Sequence, residues 1–337
     1  MKILFVMVII MVMATVPIMG CIDRDTGTDI DTDTITSTDM DHRQLMRDLV
    51  RHISVYSKQV NPDFMVIPQN GHELLTVDGE PDGDASTAYI EAIDGIGRED
   101  LFYGYEEDNV ATPVHERDHM RYFMDIARNN GLTVLVTDYC STPSLMDDSY
   151  SSSAELGYIS FAADHRDLDR IPEYPQGPYN ANTLDVTSLT DARNFLYLID
   201  PGAYPNRSSY LDTIRNTDYD VIIIDLFYDV MPLNAEEVSS LKTKSSGGSR
   251  LVIAYMSIGE AEDYRYYWQD EWMAHPPSWL AGENPQWYGN YKVRYWEDDW
   301  QDIIYGNDGS YMGIILDTGF DGVYLDIIDA FEYFEGQ

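Results

Sequence analysis

Short runs of apolar, mostly β-branched residues recur along the chain and alternate with segments of helical periodicity. Val221–Asp225 is typical, because four consecutive apolar residues end on an aspartate. Buried parallel strands have this appearance, since helices cover both of their faces. The pattern predicts eight strands, at residues 63–69, 92–97, 132–138, 157–162, 194–199, 219–225, 250–257 and 321–326.

Helical periodicity occupies many of the intervals between these runs. Leu45, Leu49, Ile53 and Tyr56 lie on one face of a helix that is predicted to fill residues 41–60. Glycines at the ends of two other periodic segments favour helix termination there. The remaining predicted helices are at 115–130, 147–156, 207–217, 234–245 and 298–318.

The alternation of strands and helices predicts an α/β fold, specifically a closed (β/α)8 TIM barrel. A barrel with seven or nine strands, or an open flavodoxin-like sheet, is the alternative. The chain is expected to start on a helix and end on a strand, the reverse of the usual barrel. A circularly permuted barrel accommodates this order if helix 41–60 docks beside the last strand.

The amino-terminal segment reads as a targeting signal. Lys2 precedes an apolar run over residues 3–19, and Gly20-Cys21 follows as in a lipoprotein signal. We predict a signal peptide at 1–20 and a lipid-anchored, cell-surface protein attached through Cys21. An ordinary secretory signal or an uncleaved anchor helix is the alternative, and each of these directs the protein out of the cytoplasm.

After the signal, the composition changes twice. Residues 21–40 are rich in aspartate and threonine and are predicted to be a flexible tether, because they cannot bury a core. Residues 41–337 are predicted to form one barrel domain. With Cys21 lipidated, Cys140 is the one cysteine left, so no disulfide framework is expected.

The formal net charge of −38 argues against nucleic acid and anionic membrane surfaces as partners. An acidic shell suited to a salty habitat, or attraction of a cationic ligand, would explain the charge. We therefore expect a monomer whose partner is a polysaccharide substrate and whose contact with the membrane is through the lipid anchor.

Carboxylates at the ends of the predicted strands are the main candidates for chemistry. The carboxyl ends of barrel strands meet at one mouth, where TIM-barrel active sites lie. Glycosidic cleavage needs two carboxyl groups about 5–10 Å apart, one as proton donor and one as nucleophile or base. Asp225, Glu260 and Asp326 occupy such strand ends.

Several longer motifs resemble one enzyme family. They are found at residues 65–75, 93–103, 250–265, 290–296 and 319–329. Together they resemble the glycoside hydrolases related to family 114, the endo-α-1,4-polygalactosaminidases, which are TIM barrels. In most of these relatives the segment similar to 194–333 precedes the one similar to 41–170, so the order here is reversed.

The resemblance implies that Asp326 and Glu99 are the catalytic carboxylates. We assign Asp326 as nucleophile or base and Glu99 as general acid/base. Structural roles are the alternatives: Asp326 could cap a neighbouring backbone, and Glu99 could form an ion pair with Arg98. The predicted function is cleavage of an extracellular polysaccharide, possible substrates including amino-sugar polymers.

Further residues are predicted to bind substrate. All six tryptophans lie between residues 268 and 300, and aromatic rings there could stack on sugar rings. We expect four of the six to form a small core. The predicted substrate-binding residues are Asn70, Asp138, Asp225, Glu260, Asp329, Trp268 and Trp296.

No cofactor and no metal are predicted, because the sequence lacks a His/Cys metal spacing, an EF-hand loop and a phosphate-binding glycine loop. Two alternatives to a glycosidase remain. One is a carbohydrate-binding cell-surface lipoprotein without catalysis. The other is a metal-assisted hydrolase, in which Asp138, Asp225, Glu260 and Asp326 would converge on an ion.

Overall fold

The computed structural model describes residues 40–336. The predicted signal peptide, Cys21 and all but the last residue of the predicted tether lie outside the described residues. From Asp41 onward the chain forms one compact unit. Within the described part of the chain, no helix has the length and apolar content needed to span a membrane.

Thirteen strands are described, and eight of them form the core. In chain order the strands are β1 (Met65–Pro68), β2 (Gly95–Glu99), β3 (Thr133–Tyr139), β4 (Ile159–Ala163), β5 (Phe195–Leu198), β6 (Val221–Asp225), β7 (Phe227–Tyr228), β8 (Met231–Pro232), β9 (Leu251–Ser257), β10 (Glu260–Glu262), β11 (Leu280–Glu283), β12 (Asn290–Val293) and β13 (Gly322–Asp326). The eight predicted strands correspond to β1–β6, β9 and β13, with shifts of up to three residues at their ends.

The core strands are all parallel. One sheet has the order β1-β13-β9-β6-β5, and a second has the order β2-β3-β4. The two sheets meet where Gln69, just after β1, forms a parallel bridge with Gly97 of β2. At the other side β4 and β5 are in contact, with the rings of Phe161 and Phe195 5.8 Å apart. The fold is therefore mixed α/β with parallel sheets.

Nine α-helices are described in residues 40–336. They are α1 (His42–Val60), α2 (Thr87–Ile90), α3 (Val114–Asn129), α4 (Pro143–Glu155), α5 (Arg207–Arg215), α6 (Ala235–Leu241), α7 (Asp298–Ile304), α8 (Tyr311–Thr318) and α9 (Ala330–Glu335). Helix α1 begins where the Asp41 side chain accepts a hydrogen bond from the Gln44 backbone N–H, 2.9 Å. On its apolar face Leu49 and Ile53 are fully buried, and Leu45 and Tyr56 are partly buried.

The structure corrects three predicted elements. The single helix expected at 298–318 is two helices, because the Gly306–Gly309 segment forms a turn between α7 and α8. Helix α4 begins four residues earlier than expected, with Pro143 in its first turn. The chain does not end on a strand, because the short helix α9 follows β13.

The segment between β9 and α7 forms a small antiparallel sheet of order β10-β12-β11. Four tryptophans pack beside it in a continuous chain of ring contacts, with centroid distances of 5.3, 4.9 and 5.0 Å. Trp279 and Trp300 are the most deeply buried of them. These four are Trp268, Trp272, Trp279 and Trp300, and they are continuous with the main hydrophobic core.

Candidate active site

Strand register places Asp326 and Glu99 at the same end of the core. Gln69 donates its backbone N–H to the Leu325 carbonyl at 2.8 Å and bridges Gly97 on its other side. Asp326 of β13 and Gly97 of β2 therefore lie two strands apart, roughly 10 Å between Cα atoms at the usual strand spacing. Glu99 is two residues beyond Gly97, so its side chain points to the same face.

Asp326 is partly exposed and lies among tyrosines. The Tyr255 hydroxyl, on the neighbouring strand β9, donates a hydrogen bond to Asp326 Oδ2 at 2.7 Å. Burial, followed by the charge of Glu99, raises the pKa of Asp326 to about 7. The strand register places both carboxylates at the same end of the core.

Glu99 is held by two side-chain donors, one on each carboxylate oxygen. Asn70 Nδ2 donates to Glu99 Oε2 at 2.9 Å, and the Tyr139 hydroxyl donates to Oε1. Asn70 also accepts the Glu99 backbone N–H at 3.2 Å and has a left-handed backbone with φ of 63°. Asparagine tolerates this conformation better than most residues. Asn70 therefore positions Glu99.

Arg98 turns away from the Glu99 carboxylate. Its Nη1 donates to His72 Nδ1 at 3.1 Å, and its Nε donates to the backbone carbonyl of Glu99 at 2.9 Å. The alternative in which Glu99 forms an ion pair with Arg98 has no support in this geometry.

A layer of buried tyrosines lies beneath the two carboxylates. The Tyr324 ring crosses strand β2 so closely that a Cβ on Gly97 would lie 1.9 Å from its hydroxyl. Tyr197 stacks edge-on against Tyr324, 5.2 Å between centroids, and donates to Gln69 Oε1 at 2.7 Å. The Tyr324 hydroxyl is buried without a hydrogen-bond partner in the protein. Glycine at position 97 is what admits this ring.

Two further carboxylates follow β13. Burial raises the pKa of Asp329, which is also influenced by Arg98, Lys292 and Glu99. Burial likewise raises the pKa of Glu332 to about 7, with Asp329 as the next contributor. Asp329 is the N-cap residue of helix α9, three residues after Asp326, and its contact with substrate stays a prediction.

Asp225 and Glu260 each form an ion pair with a basic side chain. Asp225 accepts a hydrogen bond from Arg265 on Oδ1 at 2.9 Å, and its Oδ2 forms an ion-pair contact with Arg265 Nη2 at 2.8 Å. Glu260 is fully buried, forms an ion pair with Lys292 at 2.6 Å and accepts a hydrogen bond from Asn284 at 2.8 Å. These contacts give both residues a structural role at the mouth in place of the predicted contact with substrate.

The Asp138 carboxylate also forms hydrogen bonds within the protein. It is fully buried, accepts from the Phe102 and Tyr103 backbone N–H groups at 2.8 and 3.2 Å, and accepts from Ser149 at 2.6 Å. These bonds join the loop after β2 to helix α4 and leave no part of Asp138 exposed to a substrate. Within residues 40–336, Asp138, Asp225, Glu260 and Asp326 do not form a metal-ligating group.

The two predicted tryptophans pack against protein. Trp296 lies between His42 and Phe334, with ring centroids at 4.9 and 4.8 Å, and joins the start of α1 to α9. Trp268 stacks on Tyr291 at 5.0 Å, within the aromatic core of the small sheet. Trp287 is the most exposed tryptophan in the described chain, at 53%.

Sequence reasoning identified Asn70 but missed the two tyrosines that hold the carboxylates. Tyr139 and Tyr255 lie within apolar strands and carry no local signal of function. The strand register does indicate a role for Tyr255. Its register partners are Asp225 on one neighbouring strand and Tyr324 on the other. That register cannot be read from the sequence before the strands are paired.

The protein is thus of the mixed α/β class, with parallel strands that carry Asp326 and Glu99 at their carboxyl ends. The sequence profile of glycoside-hydrolase family GH114 matches residues 180–337, just under half of the chain. The protein is therefore related to glycoside-hydrolase family GH114. The matched segment contains Asp326, whereas Glu99 lies outside it.

Three curated relatives are also similar over part of their length. An uncharacterized protein of Methanocaldococcus jannaschii is 41% identical over 155 residues, which are 45% of this chain and 42% of that protein. Uncharacterized proteins of Thermotoga maritima and Deinococcus radiodurans are 38% and 37% identical over 120 and 123 residues. These two matches each cover 36% of this chain, and 36% and 37% of the respective relative. The chain thus spans less than half of each relative.

Proposed function

We propose that this protein is a glycoside hydrolase that cleaves a polysaccharide with Asp326 and Glu99. The observation that carries the proposal is the pairing of two carboxylates at one end of the parallel strands, with the charge of Glu99 raising the pKa of Asp326. The relation to family GH114 supports the reaction class.

The same proposal includes a closed and permuted barrel. Strands β1 and β13, the first and last of the core, pair in parallel from Met65–Gly322 to Pro68–Leu325. The bridge at Gln69 and the contact of β4 with β5 provide the other two junctions that a ring needs. Closure in this order brings Glu99, from the early part of the chain, beside Asp326, from its end.

We assign the proton-donor role to Asp326 and the nucleophile or base role to Glu99, which reverses the assignment made from the sequence. In a pair of neighbouring carboxylates, the group with the raised pKa retains its proton and can donate it to the leaving oxygen. Asp326 has a pKa of about 7. Glu99 accepts a hydrogen bond on each carboxylate oxygen, from Tyr139 and Asn70, which fixes its orientation beside Asp326.

The pH profile tests this assignment. If Asp326 donates a proton, kcat/KM falls as pH rises through about 7, where Asp326 ionises. The Tyr255→Phe substitution removes a donor that favours the ionised form, so the pKa of Asp326 rises further. We expect the alkaline limb to move upward by roughly one pH unit, since one hydrogen bond contributes about 1 kcal/mol. An upward shift of the acidic limb instead would assign Asp326 as the base.

A cationic, amino-sugar-containing polymer is the proposed substrate class. The net charge of −38 attracts cationic chains, and Asp329 and Glu332 add carboxylates beside the catalytic pair. We further propose a monomer at the cell surface, attached by a lipid at Cys21 and without a nucleic-acid partner. This location rests on the amino-terminal sequence pattern.

A polysaccharide panel tests the function directly. Soluble cationic amino-sugar polymers, neutral glucans and polyuronates are incubated with the protein, and products are read by mass spectrometry. We expect oligosaccharides from the cationic polymer and none with the Asp326→Asn variant. If no member of the panel yields products while the cationic polymer binds, a non-catalytic carbohydrate-binding protein is the better account. The close packing of tyrosines around Asp326 is the observation that favours that second candidate.

A further inference from the structure

Three potential metal ligands meet beside the proposed active site. His72 and Glu73 lie on a short 3-10 turn after β1, and His119 lies on helix α3. One ligand atom from each residue lies within 4.8 Å of the other two. The His72 and His119 rings are 5.6 Å apart between centroids, and His72 Nε2 is 3.4 Å from Glu73 Oε1.

Two of these ligands have unsatisfied, buried atoms. His72 is 6% exposed, and its Nε2 has no hydrogen-bond partner, because the nearby Glu73 oxygen is not aligned with it. Glu73 Oε2 is likewise buried and without a partner. Each unsatisfied buried polar group costs about 1–3 kcal/mol. A cation bound between them would satisfy both atoms.

We propose that His72, Glu73 and His119 bind a divalent transition-metal ion, with zinc as the best chemical match. Two imidazoles and one carboxylate form a known ligand set for zinc. Zinc bonds of about 2 Å require ligand atoms about 3.3 Å apart, so the three atoms must approach by small side-chain rotations.

Arg98 links this site to the proposed catalytic pair. Arg98 Nη1 donates to His72 Nδ1 at 3.1 Å, so the proton of the neutral ring is on Nε2. Zinc on Nε2 requires that proton to leave, and the neutral ring then carries a proton on Nδ1. Nδ1–H cannot accept from Arg98, so the guanidinium must turn away from His72. No net charge is gained or lost by the ring.

A movement of Arg98 would also change its interactions with groups of the proposed active site. Arg98 influences the pKa values of both Asp329 and Glu332, and its Nε holds the Glu99 backbone carbonyl. Its positive charge opposes zinc binding, whereas the negative charge of Glu73 favours it. Metal binding and the arrangement of the mouth are therefore coupled through one side chain.

Isothermal titration with zinc tests the site, and it requires no enzymatic activity. An excess of magnesium saturates the many surface carboxylates, which prefer hard cations. We expect one zinc ion per chain in the wild type and affinity at least about tenfold weaker in His119→Ala. His115→Ala, on the same helix with an 80% exposed side chain, is the matched control and should bind like the wild type. Equal affinity in His119→Ala, or equal losses in both variants, would overturn the proposal.

The tautomer of His72 provides a second measurement. Nitrogen-15 NMR of the histidine rings distinguishes a protonated Nε2 from a protonated Nδ1. Without metal we expect the Nε2–H form of His72, and with zinc the Nδ1–H form. Zinc binding that leaves the His72 ring signals unchanged would remove His72 from the site, even if His119 responds.

Discussion

Asp326→Asn and Glu99→Gln are each expected to reduce kcat/KM by about 10³-fold on any polysaccharide that the wild type cleaves. Proton transfer by a positioned group typically contributes 10²–10⁴-fold, and each substitution removes one member of the pair. Initial rates of reducing-end formation measure the effect. Asp308→Asn, an exposed aspartate on the turn before α8, is the matched control and should retain wild-type rates.

A loss of activity in Asp326→Asn must be distinguished from a loss of folding. The pH dependence of the free energy of unfolding makes this distinction. The raised pKa of Asp326 means that the folded state loses stability as pH rises from about 4, where the unfolded chain ionises, to about 7. Asparagine cannot ionise and avoids this loss. Denaturation at pH 8 should therefore find Asp326→Asn at least as stable as the wild type. A less stable variant would show that the Asp326 carboxylate supports the fold.

The strands could be predicted because burial on both faces leaves a local pattern. Val221–Asp225 and Leu251–Ser257 are buried along their entire length, and their apolar runs end where the strands do. Strand β2 is harder to predict from the sequence, because Gly95 and Gly97 stand where apolar residues are expected. It was predicted at 92–97 and is found at Gly95–Glu99, so Glu99 ends the strand and does not follow it.

The roles of the strand-end carboxylates could not be predicted, because they depend on partners that are distant in the chain. Asp225 is paired with Arg265, 40 residues away, and Glu260 with Lys292. The sequence shows three equivalent strand-end acids, yet two of them are neutralised by cations of the segment that follows β9. Asp326 has a tyrosine where the others have a cation, and this difference leaves it available for chemistry.

Glu99 and Asp326 come from distant parts of the chain. Glu99 lies outside the segment that matches family GH114, whereas Asp326 lies inside it. Its place beside Asp326 comes from the pairing of β13 with β1 and of Gln69 with Gly97. Gly97 and the Tyr324 ring that crosses it tie β2 to β13 at this point. A larger residue at position 97 would displace Tyr324 and separate the two carboxylates.

Arg265→Met is expected to destabilise the protein by about 3–5 kcal/mol, because it leaves buried carboxylates without their cation. The Arg265 side chain is 5% exposed and binds both Asp225 of β6 and Glu262 of β10. Arg265 therefore joins the core to the small antiparallel sheet. The free energy of unfolding from urea titrations at pH 7 measures the loss.

Two further variants test whether the loss of stability in Arg265→Met depends on burial and on the geometry of the guanidinium. Arg51 forms an ion pair with Asp48 at 3.0 Å, but both side chains are more than a third exposed. Arg51→Met should therefore cost less than about 1 kcal/mol. Arg265→Lys keeps the charge but cannot contact both carboxylate oxygens of Asp225 as the guanidinium does, so its loss should lie between the other two. Equal losses in Arg265→Met and Arg51→Met would mean that water reaches the Asp225–Arg265 pair, and Asp225 would then be a candidate for substrate contact again.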